Sequence, residues 1–180
     1  MPSIYLEVFQ NALASLGRPV VAVLAPGVPE ADVYAALGDE TPDAVVEWFT
    51  WCNGVLDRPG QRNDDVALIP GYAPVSIVDA VALRAKYVGD GVLAPTWIPL
   101  LAGPSGDLFA AVWSHKANAS VAGVLIGEPT EIEFDNIRQM VDFFIACIER
   151  GAFFVNEQQM WSVDPDLYDA VYAEIASGGA

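Results

Sequence analysis

The stretch DLFAAVWSHKANASVAGVLIG, residues 107–127, contains two runs of strand composition on either side of a polar link. LFAAVW and SVAGVLIG are rich in aliphatic and aromatic residues, which favour strands, whereas SHKAN between them is polar. Strands joined by so short a link pair antiparallel, because a parallel pair needs a crossover of about a dozen residues or more. The stretch therefore predicts an antiparallel sheet in the middle of the chain.

Helical patterns lie on both sides of this stretch. Apolar spacing and capping residues predict helices at about 4–16, 29–37, 42–52, 77–88, 137–148 and from 164 onwards. The helix at 137–148 has Asp135 or Asn136 as its cap and Gly151 as its stop. Helices at the ends and strands in the middle are the order of an α+β protein. We expect one α+β domain, residues 1–180, with a mainly antiparallel central sheet flanked by helices.

The segment EWFTWCNGV, residues 47–55, predicts a core helix with an abrupt end. Thr41 is a candidate N-cap and Pro42 suits the first helical position. Gly54 can adopt the left-handed conformation that ends a helix, and Asn53 tolerates the turn beside it. This segment is expected to serve the scaffold rather than recognition. Further along, VALI before Pro70 and Gly71 predicts a short strand that stops sharply.

The charge balance limits the kind of partner. The chain is 53% hydrophobic, as expected for a dense core, and its 24 acidic and 8 basic residues give a formal net charge of -16. Nucleic acids and anionic membranes are poor partners for it, because their binding depends on clustered Lys and Arg. A basic protein suits it better. Residues 121–180 hold eleven acidic and two basic residues, which predicts a negative face. The alternative is that the acids serve only solubility.

Targeting signals and cysteine chemistry are not evident in the sequence. The start, MPSIYLEVFQ, lacks a basic segment followed by an apolar one, and no apolar run approaches the ~18 residues of a membrane span. Cys52 and Cys147 lie far apart in apolar patterns, so we expect both to be buried and reduced. A cytoplasmic location and no cofactor are the resulting expectations.

The single histidine is a weak candidate for catalysis. His115 lies in the polar link next to Ser114, and adjacent residues on a strand point to opposite faces. GPSGD, residues 103–107, lacks the Lys and the Ser or Thr of a phosphate-binding loop. We therefore predict no catalytic residue and no cofactor-binding residue.

The densest acidic cluster comprises Glu128, Glu131, Glu133 and Asp135. On a strand the last three would share one face, where their oxygens could hold a hard cation. The spacing matches no known metal loop, so a solvated strand edge or a patch for a basic partner is favoured over a metal site. These four residues are the predicted partner-binding residues, and no metal ligand is predicted.

Several short motifs, in this order and spacing, resemble the SMI1/KNR4 superfamily, also called SUKH domains. They are EWFTWCNG with Trp51, Asn53 and Gly54; Ile69-Pro70-Gly71; Trp97-Ile98-Pro99-Leu100; Gly106-Asp107; and a long helix region, 134–151, which ends in Gly151-Ala152-Phe153. The resemblance covers about residues 28–176, with 1–25 as an N-terminal extension. Thr41 stands where the family often has leucine, and Val141-Asp142 lacks a common serine, which leaves the subfamily open.

The resemblance implies a role in binding. Many bacterial members are immunity proteins that neutralise a cognate toxin, and a basic nuclease would suit the charge of this chain. Fungal members imply an alternative, a regulatory or adaptor protein without a toxin. A third possibility is a metal-dependent enzyme built on His115 or the acidic cluster. The oligomeric state is left open by the sequence.

Overall fold

Nine strands form in the part of the chain that the computed structural model describes, residues 3–87, 90–93 and 95–176. They are β1 (Leu24–Pro26), β2 (Cys52–Val55), β3 (Ala73–Pro74), β4 (Thr96–Ala102), β5 (Leu108–His115), β6 (Asn118–Val124), β7 (Glu131–Phe134), β8 (Phe153–Val155) and β9 (Trp161–Val163). β3 to β7 make one antiparallel sheet in chain order, while β1 with β2 and β8 with β9 make two small antiparallel pairs. The antiparallel central sheet is confirmed.

Six α-helices accompany these strands within the same described ranges. They are α1 (Ile4–Ser15), α2 (Glu30–Leu37), α3 (Asp43–Trp51), α4 (Ile77–Lys86), α5 (Ile137–Glu149) and α6 (Pro165–Ile175). Each corresponds to a predicted helix, so the α+β class is confirmed; the predicted end of α4, at Val88, lies outside the described residues. The longest of them, α5, has 13 residues, fewer than the ~20 that a bilayer-spanning helix needs.

The central hairpin of β5 and β6 is apolar on both faces because each face is covered. Phe109 and Ala111 belong to the large core that includes α5, whereas Leu108 and Ala110 belong to a smaller cluster that Leu83 of α4 contacts. The sequence of a strand buried on both faces is a continuous apolar run, without the alternation of apolar and polar residues that marks a half-buried strand. This explains the composition of LFAAVW and SVAGVLIG.

Phe144 of α5 lies at the centre of the large core. Its ring centroid is 5.9–6.3 Å from those of Phe9, Phe109, Phe134, Phe143 and Phe153. Asn136 caps α5 by accepting a hydrogen bond from the backbone N–H of Gln139 at 2.8 Å, as one of the two predicted caps. The N-terminal segment outside the family resemblance also contributes, since Leu6, Phe9 and Leu13 of α1 are fully buried.

Three local predictions are wrong, each because of a backbone feature. Pro42, not Thr41, is the extended residue before α3, and the Thr41 hydroxyl instead donates to the carbonyl of Gly38 at 2.7 Å. VALI forms no strand: a 3-10 helix, Asn63–Val66, leads to a tight turn at Pro70-Gly71 closed by the Ile69–Tyr72 bridge.

The third wrong prediction concerns the end of α3. The helix ends at Trp51, Cys52 is already extended, and Gly54 lies inside β2 rather than at a helix stop. The φ of Gly54, +79°, is left-handed as predicted, but this conformation occurs inside β2 and does not end the helix. A Cβ at this position would lie 2.9 Å from the backbone nitrogen of Ser76, so the glycine lets β2 approach the start of α4.

Asn53 joins the same two elements. Its Oδ1 accepts a hydrogen bond from the backbone N–H of Ile77, the first residue of α4, at 2.8 Å. This N–H is among the helix-end donors that have no partner within the helix. The Asn-Gly pair of β2 therefore supports the N-terminus of α4 from a remote part of the chain.

Replacing Asn53 by alanine is expected to lower the free energy of unfolding by about 0.5 to 2 kcal/mol, the usual cost of losing a side chain that caps a helix. Urea unfolding followed by circular dichroism would measure the change. Asn53→Asp, which keeps an acceptor oxygen, serves as the control and is expected to retain most of the stability. Equal losses in the two variants would show that the hydrogen bond to Ile77 does not stabilise the fold.

The other residues of the family resemblance occupy turns and core positions. Trp51 donates from Nε1 to Oε1 of Gln10 at 3.1 Å. Trp97 lies on β4 against Tyr87, with ring centroids 5.3 Å apart.

Pro99 lies at a register shift in β4, as expected for a residue without an N–H. The Asp107 carboxylate, next to Gly106, accepts from the N–H of Ile126 at 2.8 Å, and Gly151 follows α5.

A buried ion pair connects three further segments. The guanidinium of Arg18, which follows α1, donates to both the carboxylate of Asp64 at 3.1 Å and its backbone carbonyl at 2.7 Å. The same carboxylate accepts from the backbone N–H of Trp161 at 2.8 Å, and the guanidinium lies 4.8 Å from the centroid of the Trp161 ring. Arg18 is only 4% exposed. The group ties the N-terminal segment, the loop before β3 and the β8–β9 pair together.

Candidate functional site

Three of the four predicted partner-binding acids are exposed. Glu128 lies in the link between β6 and β7, Glu131 opens β7, and Asp135 follows its last residue. Within residues 3–87, 90–93 and 95–176, no ion pair or hydrogen bond involves these three carboxylates. They form an unneutralised acidic segment at the edge of the sheet.

Glu133 has a different environment. The pairing register between β6 and β7 shifts between Val121–Phe134 and Ala122–Ile132, which leaves Glu133 as an extra residue on β7, the pattern of a β-bulge. The prediction that Glu131, Glu133 and Asp135 share one face assumed a regular alternation of side chains along the strand. The bulge at Glu133 interrupts that alternation. Glu131 pairs with Gly123, the residue over which the Glu133 side chain lies, whereas Asp135 lies beyond the bulge.

The Glu133 side chain lies over Gly123 of β6. A Cβ at position 123 would be 2.9 Å from both Cγ and Oε1 of Glu133, so the missing side chain provides the space. The Tyr172 hydroxyl, from α6, donates to Oε2 of Glu133 at 2.6 Å. Burial, together with this hydrogen bond to a carboxylate, raises the pKa of Tyr172 above its usual range. The phenol thus remains protonated and holds the carboxylate in place.

Glu133 and Tyr172 line an open pocket of about 460 Å³ between the sheet and α6. This volume falls in the range of roughly 300 to 1,000 Å³ that is usual for ligand-binding clefts. Five aromatic rings contribute to its wall, two of them from α6 and the other three from different parts of the chain. They are those of Tyr72, Phe109, Phe153, Tyr168 and Tyr172.

The pocket is negatively charged. Its lining residues, all of them within the described ranges, include two acids, Glu133 and Asp169, and no Lys, Arg or His. Burial raises the pKa of Tyr168 and of Tyr72, so both phenols are neutral at physiological pH. An apolar aromatic wall with carboxylates and no basic residue is suited to a cationic group.

Sequence reasoning missed this pocket because its residues come from six separate parts of the chain. The apolar periodicity places Tyr168 and Tyr172 on the core stripe of α6, and Tyr72 follows a turn. One signal was present: Gly123 interrupts an apolar strand, and glycine inside a strand often marks a bulge or a close approach. Pro70, predicted only as a scaffold residue, also lines the pocket.

The histidine and serine considered for catalysis lie apart from the pocket. Ser114 and His115 are exposed at the end of β5, and their Oγ and Nε2 atoms are 3.1 Å apart. The expectation that they point to opposite faces is wrong, because the β5–β6 register shifts between Val112 and His115. Among the described residues, no group of three or more His, Cys, Asp or Glu side chains could hold a metal ion. Cys52 and Cys147 are buried free thiols, as predicted.

Compared with models of known protein families and with curated proteins, the chain has no match. The resemblance to the SMI1/KNR4 superfamily thus remains a prediction from the short motifs.

Proposed function

We propose that this chain is a non-enzymatic immunity protein of the SMI1/KNR4 type, which binds a basic bacterial toxin domain and neutralises it. The binding surface combines the acidic segment, Glu128, Glu131 and Asp135, with the negative pocket that contains Glu133. The observation that supports the proposal most directly is that these exposed carboxylates form no ion pair or hydrogen bond with the rest of the described chain. A basic partner would supply the missing cations.

The net charge supports the same kind of partner. A charge of -16 attracts a basic domain over long distances and accelerates its association. A nuclease domain that binds a polyanionic substrate is basic for the same reason. A negatively charged protein can therefore compete for the surface that would hold nucleic acid.

The direct test is to measure binding between this chain and the purified products of the genes beside its own. Saturable binding to a toxic product, with loss of its toxicity when the two are co-expressed, would support the proposal. Binding to a non-toxic protein would favour the regulatory or adaptor role instead. Turnover of a substrate by the isolated chain, lost in His115→Ala or Glu131→Ala, would contradict a purely binding function.

Reversing the charge of the acidic segment is expected to slow association. In the triple variant Glu128→Lys, Glu131→Lys and Asp135→Lys, the association rate constant at low salt should fall about tenfold or more, because steering charges act mainly on that rate. The dependence of the rate on ionic strength should also become weaker. Stopped-flow or surface-based kinetics over a range of salt concentrations would measure both effects.

A matched control makes the same change in net charge at three acids outside the acidic segment. Glu7, Asp39 and Asp57 are exposed, and their carboxylates make no ion pair or hydrogen bond in the described part of the chain. Their triple lysine variant should retain a faster association than the first variant. Equal rates for the two variants would mean that only net charge matters and would remove the acidic segment from the interface.

A further inference from the structure

We propose that the pocket between β6, β7 and α6 takes up an arginine side chain of the protein partner, with its guanidinium against the carboxylate of Glu133. The inference rests on the proposed function, because the occupant comes from the basic protein that this function requires. It adds a defined recognition site to what is otherwise an attraction between charged surfaces.

The carboxylate of Glu133 is fixed in position before any ligand arrives. The Tyr172 hydroxyl holds Oε2 at 2.6 Å, and Gly123 leaves room for Oε1 above the sheet. No ion pair among the described residues involves Glu133. A carboxylate held in this way loses little conformational freedom on binding, so it can accept the paired N–H groups of a guanidinium at small entropic cost.

The aromatic wall favours the same ligand. The rings of Tyr168 and Tyr172 lie nearly parallel, with an interplanar angle of 6° and centroids 6.4 Å apart, and both line the pocket. A guanidinium is planar and weakly hydrated, so it stacks on aromatic rings better than an ammonium does. Arginine is therefore expected in preference to lysine.

The apolar rim of the pocket suits the methylene groups of an arginine side chain. Leu125 and Val163 line the pocket and are 42% and 44% exposed, respectively. The three methylene groups of arginine can cover such apolar surface while the charged end reaches a carboxylate. Asp169, exposed on α6, adds a second negative charge to the lining. Charge and shape together thus indicate a basic side chain rather than a neutral one.

The inference is tested with the full chain and three N-acetylated tripeptide amides, Gly-Arg-Gly, Gly-Lys-Gly and Gly-citrulline-Gly. Citrulline has nearly the shape of arginine but no charge. Two-dimensional amide NMR during a titration reports both affinity and location. We expect saturable shifts from the arginine peptide at the amides of Gly123, Tyr168 and Tyr172, weaker binding of the lysine peptide, and none of the citrulline peptide.

Two variants with the same change in charge distinguish the pocket from the surface. Glu133→Gln should weaken binding of the arginine peptide about tenfold or more, as expected when a hydrogen-bonded charge partner is lost. Glu7→Gln, at an exposed position on α1 and outside the pocket lining, should change the affinity less than about twofold. Asp169→Asn, at an exposed position, is a second pocket variant that keeps Glu133 and Tyr172 paired, and it should also weaken binding.

Several results would overturn the inference: no saturable shift at millimolar peptide, equal binding of the citrulline peptide, tighter binding of the lysine peptide, or equal effects of Glu7→Gln and Glu133→Gln. Its failure differs from a failure of the proposed function. A chain that binds a basic toxin but no arginine peptide would contradict the pocket alone. A chain whose pocket binds the peptide, but which binds none of the neighbouring gene products, would contradict the immunity role.

Discussion

Replacing Asp64 by alanine is expected to lower the free energy of unfolding by about 3 to 5 kcal/mol, the usual cost of removing one partner from a buried ion pair. Arg18 would keep its hydrogen bond to the backbone carbonyl of residue 64 but would lose the carboxylate that neutralises it. The backbone N–H of Trp161 would lose its acceptor as well. Because stabilities of such domains are about 5 to 15 kcal/mol, this loss is a large fraction of the total.

The neighbouring residue provides the control. Asp65 pairs with Arg62 at 3.0 Å, but the two side chains are 23% and 60% exposed, so solvent screens their attraction. Asp65→Ala should therefore change the stability much less than Asp64→Ala, although both variants remove an aspartate from the same 3-10 helix. Asp64→Asn, which keeps an acceptor for Trp161 but removes the charge, should lie between them.

Urea denaturation followed by circular dichroism would measure these differences as shifts of the midpoint at a constant slope. The result would contradict the assignment if Asp64→Ala and Asp65→Ala were equally stable. Equal stability of the two variants would mean that the Arg18 guanidinium finds other partners or reaches water once the Asp64 carboxylate is removed.

The sequence was sufficient to predict the elements whose signals are local. The α5 helix carries its cap, its apolar stripe and its stop within residues 136–151, and the β5–β6 hairpin carries both strands and the link within residues 107–127. Such features depend on neighbours in sequence, so composition and periodicity predict them well.

Features that depend on remote contacts could not be predicted in this way. The partners Arg18 and Asp64 are 46 residues apart, and Glu133 and Tyr172 are 39 apart. The one sequence signal near the bulge is Gly123 on β6, and it indicates neither that the extra residue is Glu133 on β7 nor that Tyr172 lies beside it. A cluster of four acids in sequence thus becomes three surface charges and one pocket carboxylate in the fold.

Gly54→Ala is the second substitution with a large expected effect, about 2 to 5 kcal/mol of lost stability. The left-handed φ of +79° costs any residue with a Cβ about 1 to 2 kcal/mol. The new Cβ would also lie 2.9 Å from the backbone nitrogen of Ser76, and moving the start of α4 away adds about 1 to 3 kcal/mol. The same movement would strain the hydrogen bond from Ile77 to Asn53.

Gly71→Ala separates these two contributions. Gly71 has a similar φ of +84°, but a Cβ added there would have no heavy atom within 4 Å outside the adjoining residues, so only the conformational cost applies. Chemical denaturation of both variants should therefore give a loss for Gly54→Ala that exceeds the loss for Gly71→Ala. The excess measures how rigidly β2 and the N-terminus of α4 are held together. Equal losses would mean that α4 moves freely away from β2, and that Gly54 is needed there for its backbone conformation alone.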